Sequence, residues 1–319
     1  MLTLTADPST PTETRPLDQS ELVAEAKRLK AETRALVLAH LYQRPEIQDL
    51  ADFVGDSLGL SQQAAATDND LIFFCGVHFM AESAAVLSPQ KTVILPEPKA
   101  GCPMADMVTP EGLREMKAKY PGVPVVAYVN TSAAVKAESD ICCTSRNAVK
   151  VVESVDADSV IFIPDRNLAA YVQSKTKKKV IPWPGFCPTH NRIKSQDLTR
   201  MKEAHPEAIV LVHPETDQAI MAQADQIFST EGMRRFVRES PAKEFIIGTE
   251  MGILHALQRD RPDASFYFPS GDEQICPNMK STTLRKLVLA MERRGPVVTV
   301  PEDIRLKAKR ALDRMIAIQ

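Results

Sequence analysis

The stretch ALVLAHLYQRPEIQDLADFVGDS, residues 35–57 of the 319, decides the fold, because the chain repeats its pattern twice more. A short apolar run ends at His40, a second polar side chain follows at Tyr42, and a hydroxyl lies seventeen residues after the histidine, at Ser57. Pro45 suits the first turn of a helix, where its missing N–H leaves no hydrogen bond unmade. The stretch therefore predicts a strand, a helix, a second short strand and a further helix from Ser57.

Two later parts of the chain carry the same spacing of two polar residues and a hydroxyl. The corresponding positions, in chain order, are Tyr128, Asn130 and Ser145, then His213, Glu215 and Thr230. Each copy continues to a cysteine followed by proline, and these are Cys102, Cys187 and Cys276. The cysteines follow the first polar residues of their copies by 62, 59 and 63 residues, and a leucine stands eleven residues after each cysteine. Matches at so many positions indicate a threefold internal repeat.

Within each copy, short continuous apolar runs alternate with helical segments. This alternation is typical of parallel sheets that helices cover on both faces. We therefore expect an α/β protein of three similar three-layer α/β/α domains, with parallel sheets related by pseudo-threefold symmetry around a central active site. The expected divisions are a mobile tail over residues 1–17, domains over 18–108 and 109–195, and a third domain with C-terminal helices over 196–319.

Composition and charge narrow the class of protein. Hydrophobic residues make up 44% of the chain and charged residues 25%, as in an ordinary globular domain. The formal net charge of −2 leads us to expect neither a nucleic-acid nor a membrane partner. No apolar stretch approaches the ~18–20 residues that cross a bilayer, so we expect a cytoplasmic protein. In that reducing compartment, the six cysteines favour metal binding or catalysis over disulfides.

The repeat predicts that the three cysteines meet. Ligands of open parallel sheets bind beyond the carboxyl ends of the strands. The first polar residue of each copy ends a first strand, and each cysteine follows a fourth strand at the same edge. A structural zinc site and a typical electron-transfer [4Fe–4S] cluster both need a fourth ligand, and the chain has no Cys-x-x-Cys pair. Three thiolates would instead hold a [4Fe–4S] cluster whose fourth iron is open for Lewis-acid chemistry.

The hydroxyls of Ser57, Ser145 and Thr230 have two interpretations. Each follows a short apolar segment and opens a predicted helix, where serine and threonine commonly cap free backbone N–H groups. Helix N-termini also bind carboxylates and phosphates. Three such ends around one cavity would suit substrates with several negative charges.

Nine short motifs between about residues 36 and 280 carry a resemblance to a known family. They are AHLYQ (39–43), GDSL (55–58), GCPMA (101–105), YVNTSAAVKA (128–137), CTSRNA (143–148), GFCPTH (185–190), HPE (213–215), STEGM (229–233) and CPNMK (276–280). On these motifs the chain resembles the quinolinate synthases, the A proteins of bacterial NAD biosynthesis. It departs from them at Leu41 and Glu231, and it lacks the Cys-x-x-Cys that some relatives carry at the third cysteine.

The resemblance implies an activity and a cofactor. The family condenses iminoaspartate with dihydroxyacetone phosphate to quinolinate, releasing phosphate and water, and an L-aspartate oxidase would supply the unstable imine. It also implies that Cys102, Cys187 and Cys276 ligate one oxygen-sensitive [4Fe–4S] cluster per chain. The positions that would line the active site are His40, Tyr42, Ser57, Tyr128, Asn130, Ser145, His190, His213, Glu215, Ser229 and Thr230.

Individual roles follow from the chemistry that ring closure needs. Glu215 is the candidate general base, because burial can tune a carboxylate towards neutral pH. His40 and Tyr42 are candidates to relay protons to the hydroxyls of the phosphate substrate. The best candidates for binding carboxylates are His213, Asn130, Ser145 and Thr230.

Other interpretations of the same residues remain open at this point. An aconitase-like hydro-lyase would use the same open iron for one dehydration, and a non-enzymatic iron–sulfur sensor would need an output module that the sequence does not offer. A zinc-stapled scaffold lacks its fourth ligand. The remaining cysteines, Cys75, Cys142 and Cys143, are expected in the core.

Overall fold

A computed structural model of the protein describes residues 17–318. The predicted mobile tail lies outside the described residues except for Leu17, which is exposed. The described chain forms three four-stranded sheets in which every strand pairing is parallel. The predicted α/β architecture with three similar parallel sheets is therefore confirmed.

Each sheet comes from a run of four helices that alternate with four strands. The first run is α1 (Gln19–Thr33), β1 (Leu36–His40), α2 (Pro45–Leu50), β2 (Phe53–Gly55), α3 (Ser57–Ala66), β3 (Leu71–Cys75), α4 (His78–Leu87) and β4 (Thr92–Ile94). The second is α5 (Pro110–Lys119), β5 (Val125–Tyr128), α6 (Ala133–Ala137), β6 (Ile141–Cys143), α7 (Ala148–Ser154), β7 (Ser159–Ile163), α8 (Arg166–Gln173) and β8 (Lys179–Pro182). The third is α10 (Ser195–Ala204), β9 (Ile209–Val212), α11 (Gln218–Met221), β10 (Gln226–Ile227), α12 (Thr230–Glu239), β11 (Glu244–Gly248), α13 (Ile253–Asp260) and β12 (Ser265–Tyr267), after the short helix α9 (Pro188–Asn191).

The three sheets share their strand order and their register. In each, the second strand lies beside the first, which pairs on its other side with the third, and the fourth strand lies outside the third. The pairs between first and third strands join residues 36 positions apart, namely Leu36 with Ile72, Val125 with Ile161 and Ile209 with Phe245. Because the register is the same, the carboxyl ends of the strands occupy equivalent places in all three units.

A hydrogen bond between the first two strands of each unit also occurs three times. The carboxylate of the aspartate directly before the second strand accepts a hydrogen bond from the backbone N–H of a residue in the first strand. The pairs are Val37 with Asp52 at 2.8 Å, Val125 with Asp140 at 2.7 Å and Val210 with Asp225 at 2.8 Å. Each donor precedes its acceptor by fifteen residues, so the repeat extends to side-chain contacts.

Three further helices follow the third sheet and do not add strands to it. They are α14 (Pro277–Lys280), α15 (Leu284–Arg293) and α16 (Glu302–Ala317). Helix α15 packs on α1 of the first unit, while α16 packs on α6 and β6 of the second unit and on α4 of the first. No helix within residues 17–318 combines the length and the apolar character that crossing a membrane requires.

The packing of α16 gives a matched pair of substitutions. Leu312 is fully buried, whereas Leu306 on the same helix is 53% exposed. We expect Leu312→Ala to destabilise the fold by about 2–5 kcal/mol, because it removes a packed side chain and leaves a cavity. Leu306→Ala should stay within about 0.5 kcal/mol of the unsubstituted protein. Thermal and urea midpoints of both variants measure this, and equal shifts would contradict the described position of α16.

Candidate active site

The carboxyl ends of the three sheets open on one cavity. His40 ends β1, Tyr128 ends β5, and His213 directly follows β9. The three repeat cysteines line the same cavity, although each follows the fourth strand of a different sheet. The predicted residues that line it are His40, Tyr42, Ser57, Cys102, Tyr128, Asn130, Ser145, Cys187, His190, His213, Glu215, Thr230 and Cys276.

The hydroxyls that were candidates for helix caps do not cap helices. Asp56 caps α3 and Ser229 caps α12, each accepting the N–H of the third residue of its helix. Ser57 and Thr230 are therefore the first helical residues, and Ser145 lies three residues before α7. The capping interpretation was wrong for Ser57 and Thr230 because the preceding residue already fills the cap, and for Ser145 because the N-cap position of α7 is Asn147. Ser229 accordingly acts as a cap and is not among the residues that line the cavity.

The two repeat histidines share one tautomer. The backbone N–H of Tyr42 donates to His40 Nδ1 at 3.1 Å, and that of Glu215 donates to His213 Nδ1 at 3.3 Å. Because Nδ1 accepts in both rings, the ring proton lies on Nε2, which in His213 is 3.2 Å from Ser145 Oγ. Burial lowers the pKa of both histidines to about 3. Both rings are therefore neutral near pH 7 and can donate from Nε2.

Glu215 lies at the centre of the buried polar groups. The hydroxyl of Tyr128 donates to Oε1, and Nδ1 of His190 lies 2.8 Å from Oε2. We expected burial to raise the pKa of Glu215 towards neutrality. Burial does act in that direction, but the imidazoles of His190 and His213 and the two hydrogen bonds outweigh it, and the pKa of Glu215 lies below its usual value. Glu215 is thus an ionised carboxylate held by donors from two other parts of the chain.

A path of hydrogen bonds through His190 and Thr249 connects this carboxylate to Tyr42. The Tyr42 hydroxyl lies 2.6 Å from Thr249 Oγ1 and accepts a hydrogen bond from Thr230 at 3.1 Å. Thr249 Oγ1 also lies 2.8 Å from Nε2 of His190, whose other nitrogen faces Glu215. The sequence pattern did not predict Thr249 as a site residue, although Thr249 directly follows β11 at the same sheet edge as the predicted residues. Burial raises the pKa of Tyr42, so its hydroxyl stays protonated near pH 7.

The three cavity cysteines are free thiols. Burial raises the pKa of Cys102 to about 12 and also raises the pKa of Cys187 and Cys276. Thiols in such surroundings become thiolates only when a cation compensates the charge, and a bound metal centre does so. The donor set of three sulfurs therefore fits a thiophilic metal group.

The spacing of the ligand atoms separates a single ion from a larger centre. Among residues 17–318, Cys187, His190 and Glu215 bring one ligand atom each within 4.8 Å of one another, whereas the three cysteine sulfurs do not form such a group. A zinc ion holds each thiolate at about 2.3 Å, so two thiolates on one ion are at most about 4.6 Å apart. The three sulfurs therefore do not have the spacing of thiolates on a single zinc ion.

The other cysteines lie where the sequence predicted. Cys75 ends β3, and Cys142 and Cys143 lie in β6; all three are fully buried. None of them is among the residues that line the cavity. They belong to the core.

Comparison with known proteins assigns the family. The model of the family described as "Quinolinate synthetase A protein" matches residues 24–317. The chain belongs to this family. The resemblance that the nine motifs suggested is confirmed, and so is the prediction that the protein is an enzyme of this class.

Relatives cover nearly the whole chain. Quinolinate synthase 1 of Methanosarcina acetivorans is 55% identical over 303 residues, which are 95% of this chain and 99% of the relative. Quinolinate synthase of Methanosarcina barkeri is 56% identical with the same coverage. Quinolinate synthase of Geobacter metallireducens is 58% identical over 294 residues, 92% of this chain and 96% of the relative.

Proposed function

We propose that the protein condenses iminoaspartate with dihydroxyacetone phosphate to form quinolinate, phosphate and water. The observation that carries the proposal is the convergence of three free thiols, one from each repeat unit, on a cavity lined by neutral donors and by the ionised carboxylate of Glu215. The names of the relatives support the same activity. An L-aspartate oxidase would supply the imine, and both enzymes would work in the cytoplasm.

The proposed cofactor is one [4Fe–4S] cluster per chain, held by Cys102, Cys187 and Cys276. Two buried oxygens that line the cavity support a site built for bound groups, since Asn130 Oδ1 and Asp56 Oδ2 have no hydrogen-bond partner among the described residues. When bound, the cluster would supply a Lewis-acidic iron that polarises a substrate oxygen.

The neutral donors suit the carboxylates of the substrates. His40 and His213 each present an Nε2–H, and Thr230 and Ser145 add hydroxyls from the third and second units. Because these donors carry no charge, they can bind an anion without the cost of burying a separate cation. We propose that they orient the carboxylates while the Asn130 amide contributes a further polar contact.

Glu215 is the proposed general base. It is ionised, so it can take a proton from a substrate carbon. The Tyr128 hydroxyl and His190 both face it and would return protons after each abstraction. Tyr42, joined to His190 through Thr249, is the proposed donor to a leaving hydroxyl.

The Thr249 link predicts a kinetic effect. Thr249→Val keeps the shape of the side chain but removes the oxygen between Tyr42 and His190, so turnover should fall by about 10-fold or more. Thr249→Ser restores the oxygen and should recover most of the rate. The measurement is quinolinate formation at saturating substrates, with iron content determined on each sample. Equal rates for the valine and serine variants would remove Thr249 from the hydrogen-bond path.

An anaerobic reconstitution tests the proposed function. Protein purified without oxygen should be brown, contain about four irons per chain and form quinolinate only when both substrates are present. Zinc instead of iron would exclude the cluster. Turnover of a single hydroxy acid without dihydroxyacetone phosphate would indicate a hydro-lyase, and a cluster-loaded protein without turnover would indicate a sensor.

A further inference from the structure

The position two residues beyond the third strand differs among the three units. Strands β3, β7 and β11 are equivalent, and the residues two positions after them are Val77, Asp165 and Glu250. All three are buried, with Asp165 and Glu250 completely inaccessible. Two units therefore place a buried carboxylate where the first unit has an apolar side chain.

The Glu250 carboxylate contacts the loop that carries the third cysteine. Its Oε1 accepts the backbone N–H of Cys276 at 3.0 Å and lies 2.7 Å from Nζ of Lys280. Its Oε2 accepts the backbone N–H of Gly252 at 2.6 Å. A Cβ atom at Gly252 would lie 2.7 Å from the backbone carbonyl carbon of Tyr42 and 2.5 Å from Lys280 Nζ, so a larger residue would displace this pair. Cys276 is thus fixed through its own backbone.

The same pair reaches into the first unit. Nζ of Lys280 also donates to the carbonyl oxygen of Tyr42, and the Lys280 carbonyl accepts from Arg44 Nε at 2.8 Å. Gln48 Nε2 donates to the carbonyl of Gly252 at 2.9 Å. The two bonds to Lys280 tie the loop after β1 to the segment that follows Cys276, and the third ties α2 to the segment before α13. The partners lie more than 200 residues apart in the chain.

The second unit has a related arrangement. The Asp165 carboxylate caps α8 through Oδ1, while its Oδ2 is buried without a hydrogen-bond partner among the described residues. The next residue, Arg166, donates its backbone N–H to the Gly185 carbonyl at 2.8 Å, in the loop before Cys187. The loop before Cys187 packs so tightly on this segment that a Cβ at Gly185 would lie 2.5 Å from the Pro164 carbonyl oxygen. In the first unit the backbone N–H of His78 donates to the Ala100 carbonyl of the corresponding loop at 2.7 Å.

We propose that the Glu250–Lys280 pair is a positioning device that fixes Cys276 as a metal ligand and couples it to the Tyr42 loop, with Asp165 in the equivalent place for Cys187. The inference rests on the proposed cluster function, since it assigns these residues to its ligands. Groups that orient metal ligands typically affect metal affinity by about 10–100-fold when removed. The Glu250 carboxylate accepts the backbone N–H of Cys276, and Lys280 compensates its charge, so the pair restrains the loop through its backbone.

The test uses Glu250→Gln, which keeps the size of the side chain but removes its charge. Asp260→Asn is the matched control, because Asp260 pairs with Arg234 at 2.5 Å in the same unit and does not contact a cysteine loop. We expect chelator-induced iron release from the cluster-loaded protein to accelerate about 10-fold or more in Glu250→Gln and to be unchanged in the control.

The cluster-free protein gives an independent readout. We expect alkylation of Cys276, followed by peptide mass spectrometry, to accelerate in Glu250→Gln relative to Cys102 in the same sample. Lys280→Met should give the same result if the glutamine variant does not fold. Iron release and Cys276 alkylation at the rates of the unsubstituted protein in a folded variant would overturn the proposal. Unsubstituted protein that binds no cluster would refute the proposed function instead, while the alkylation rates would still test the positioning of Cys276.

Discussion

Glu215→Gln should lower the rate of quinolinate formation by about 10²–10⁴-fold while the iron content stays unchanged. The carboxylate accepts from the Tyr128 hydroxyl and from His190 Nδ1 on its two oxygens. An amide has one oxygen and an NH₂ group that faces a donor, so it can neither take a substrate proton nor satisfy both partners. The loss should therefore appear in turnover more than in substrate binding.

The control for this variant is Glu239→Gln on the exposed side of α12. It makes the same chemical change away from the cavity and should leave turnover unaltered. Single-turnover assays on anaerobically loaded protein separate the chemical step from product release. Full turnover in Glu215→Gln with an intact cluster would exclude Glu215 as the base.

Cys187→Ser should abolish stable cluster binding and, with it, quinolinate formation. Its sulfur lies 3.2 Å from His190 Nδ1 and belongs to one of the three cysteines that line the cavity. The described residues place no fourth cysteine there that could replace it as a ligand. A serine hydroxyl is a much poorer ligand for iron in a sulfur cluster than a thiolate. Iron should fall from about four per chain to well below that value.

Cys142→Ala is the matched control for the cysteine variant. Cys142 is fully buried in β6 and is not among the residues that line the cavity. Its replacement should lower stability modestly and leave the iron content near that of the unsubstituted protein. Visible absorbance of the cluster, together with iron and sulfide analysis, measures the cluster content of both variants. A Cys187→Ser protein that kept four irons would show that the cluster has other ligands.

The architecture was predictable because the repeat marks it at many positions. The spacing from His40 to Ser57 and from His40 to Cys102 recurs with little change, and the sheet-edge rule then brings the three copies together. The side-chain details were less accessible. Whether Ser57 or Asp56 caps α3 depends on a shift of one residue, which a pattern of apolar runs does not resolve.

Groups supplied from distant parts of the chain also escaped prediction. The pKa of Glu215 depends on His190 and Tyr128 of the second unit as well as on His213, so burial alone gave the wrong direction. Thr249 and Glu250 follow a third strand, where Gly76 and Pro164 stand in place of Thr249 and Val77 stands in place of Glu250 in the first unit. A search for residue types shared by all three units could not find them, because the repeat preserves the backbone there and changes the side chain.

The cysteines of the three units are separated by 85 and 89 residues along the chain. Any group that all three bind cross-links the polypeptide at widely spaced points and so restricts the unfolded ensemble. Occupancy and folding are then thermodynamically linked, since the unfolded chain cannot hold the three sulfurs together. Oxidative loss of the bound group would consequently lower the stability of the whole fold as well as the activity.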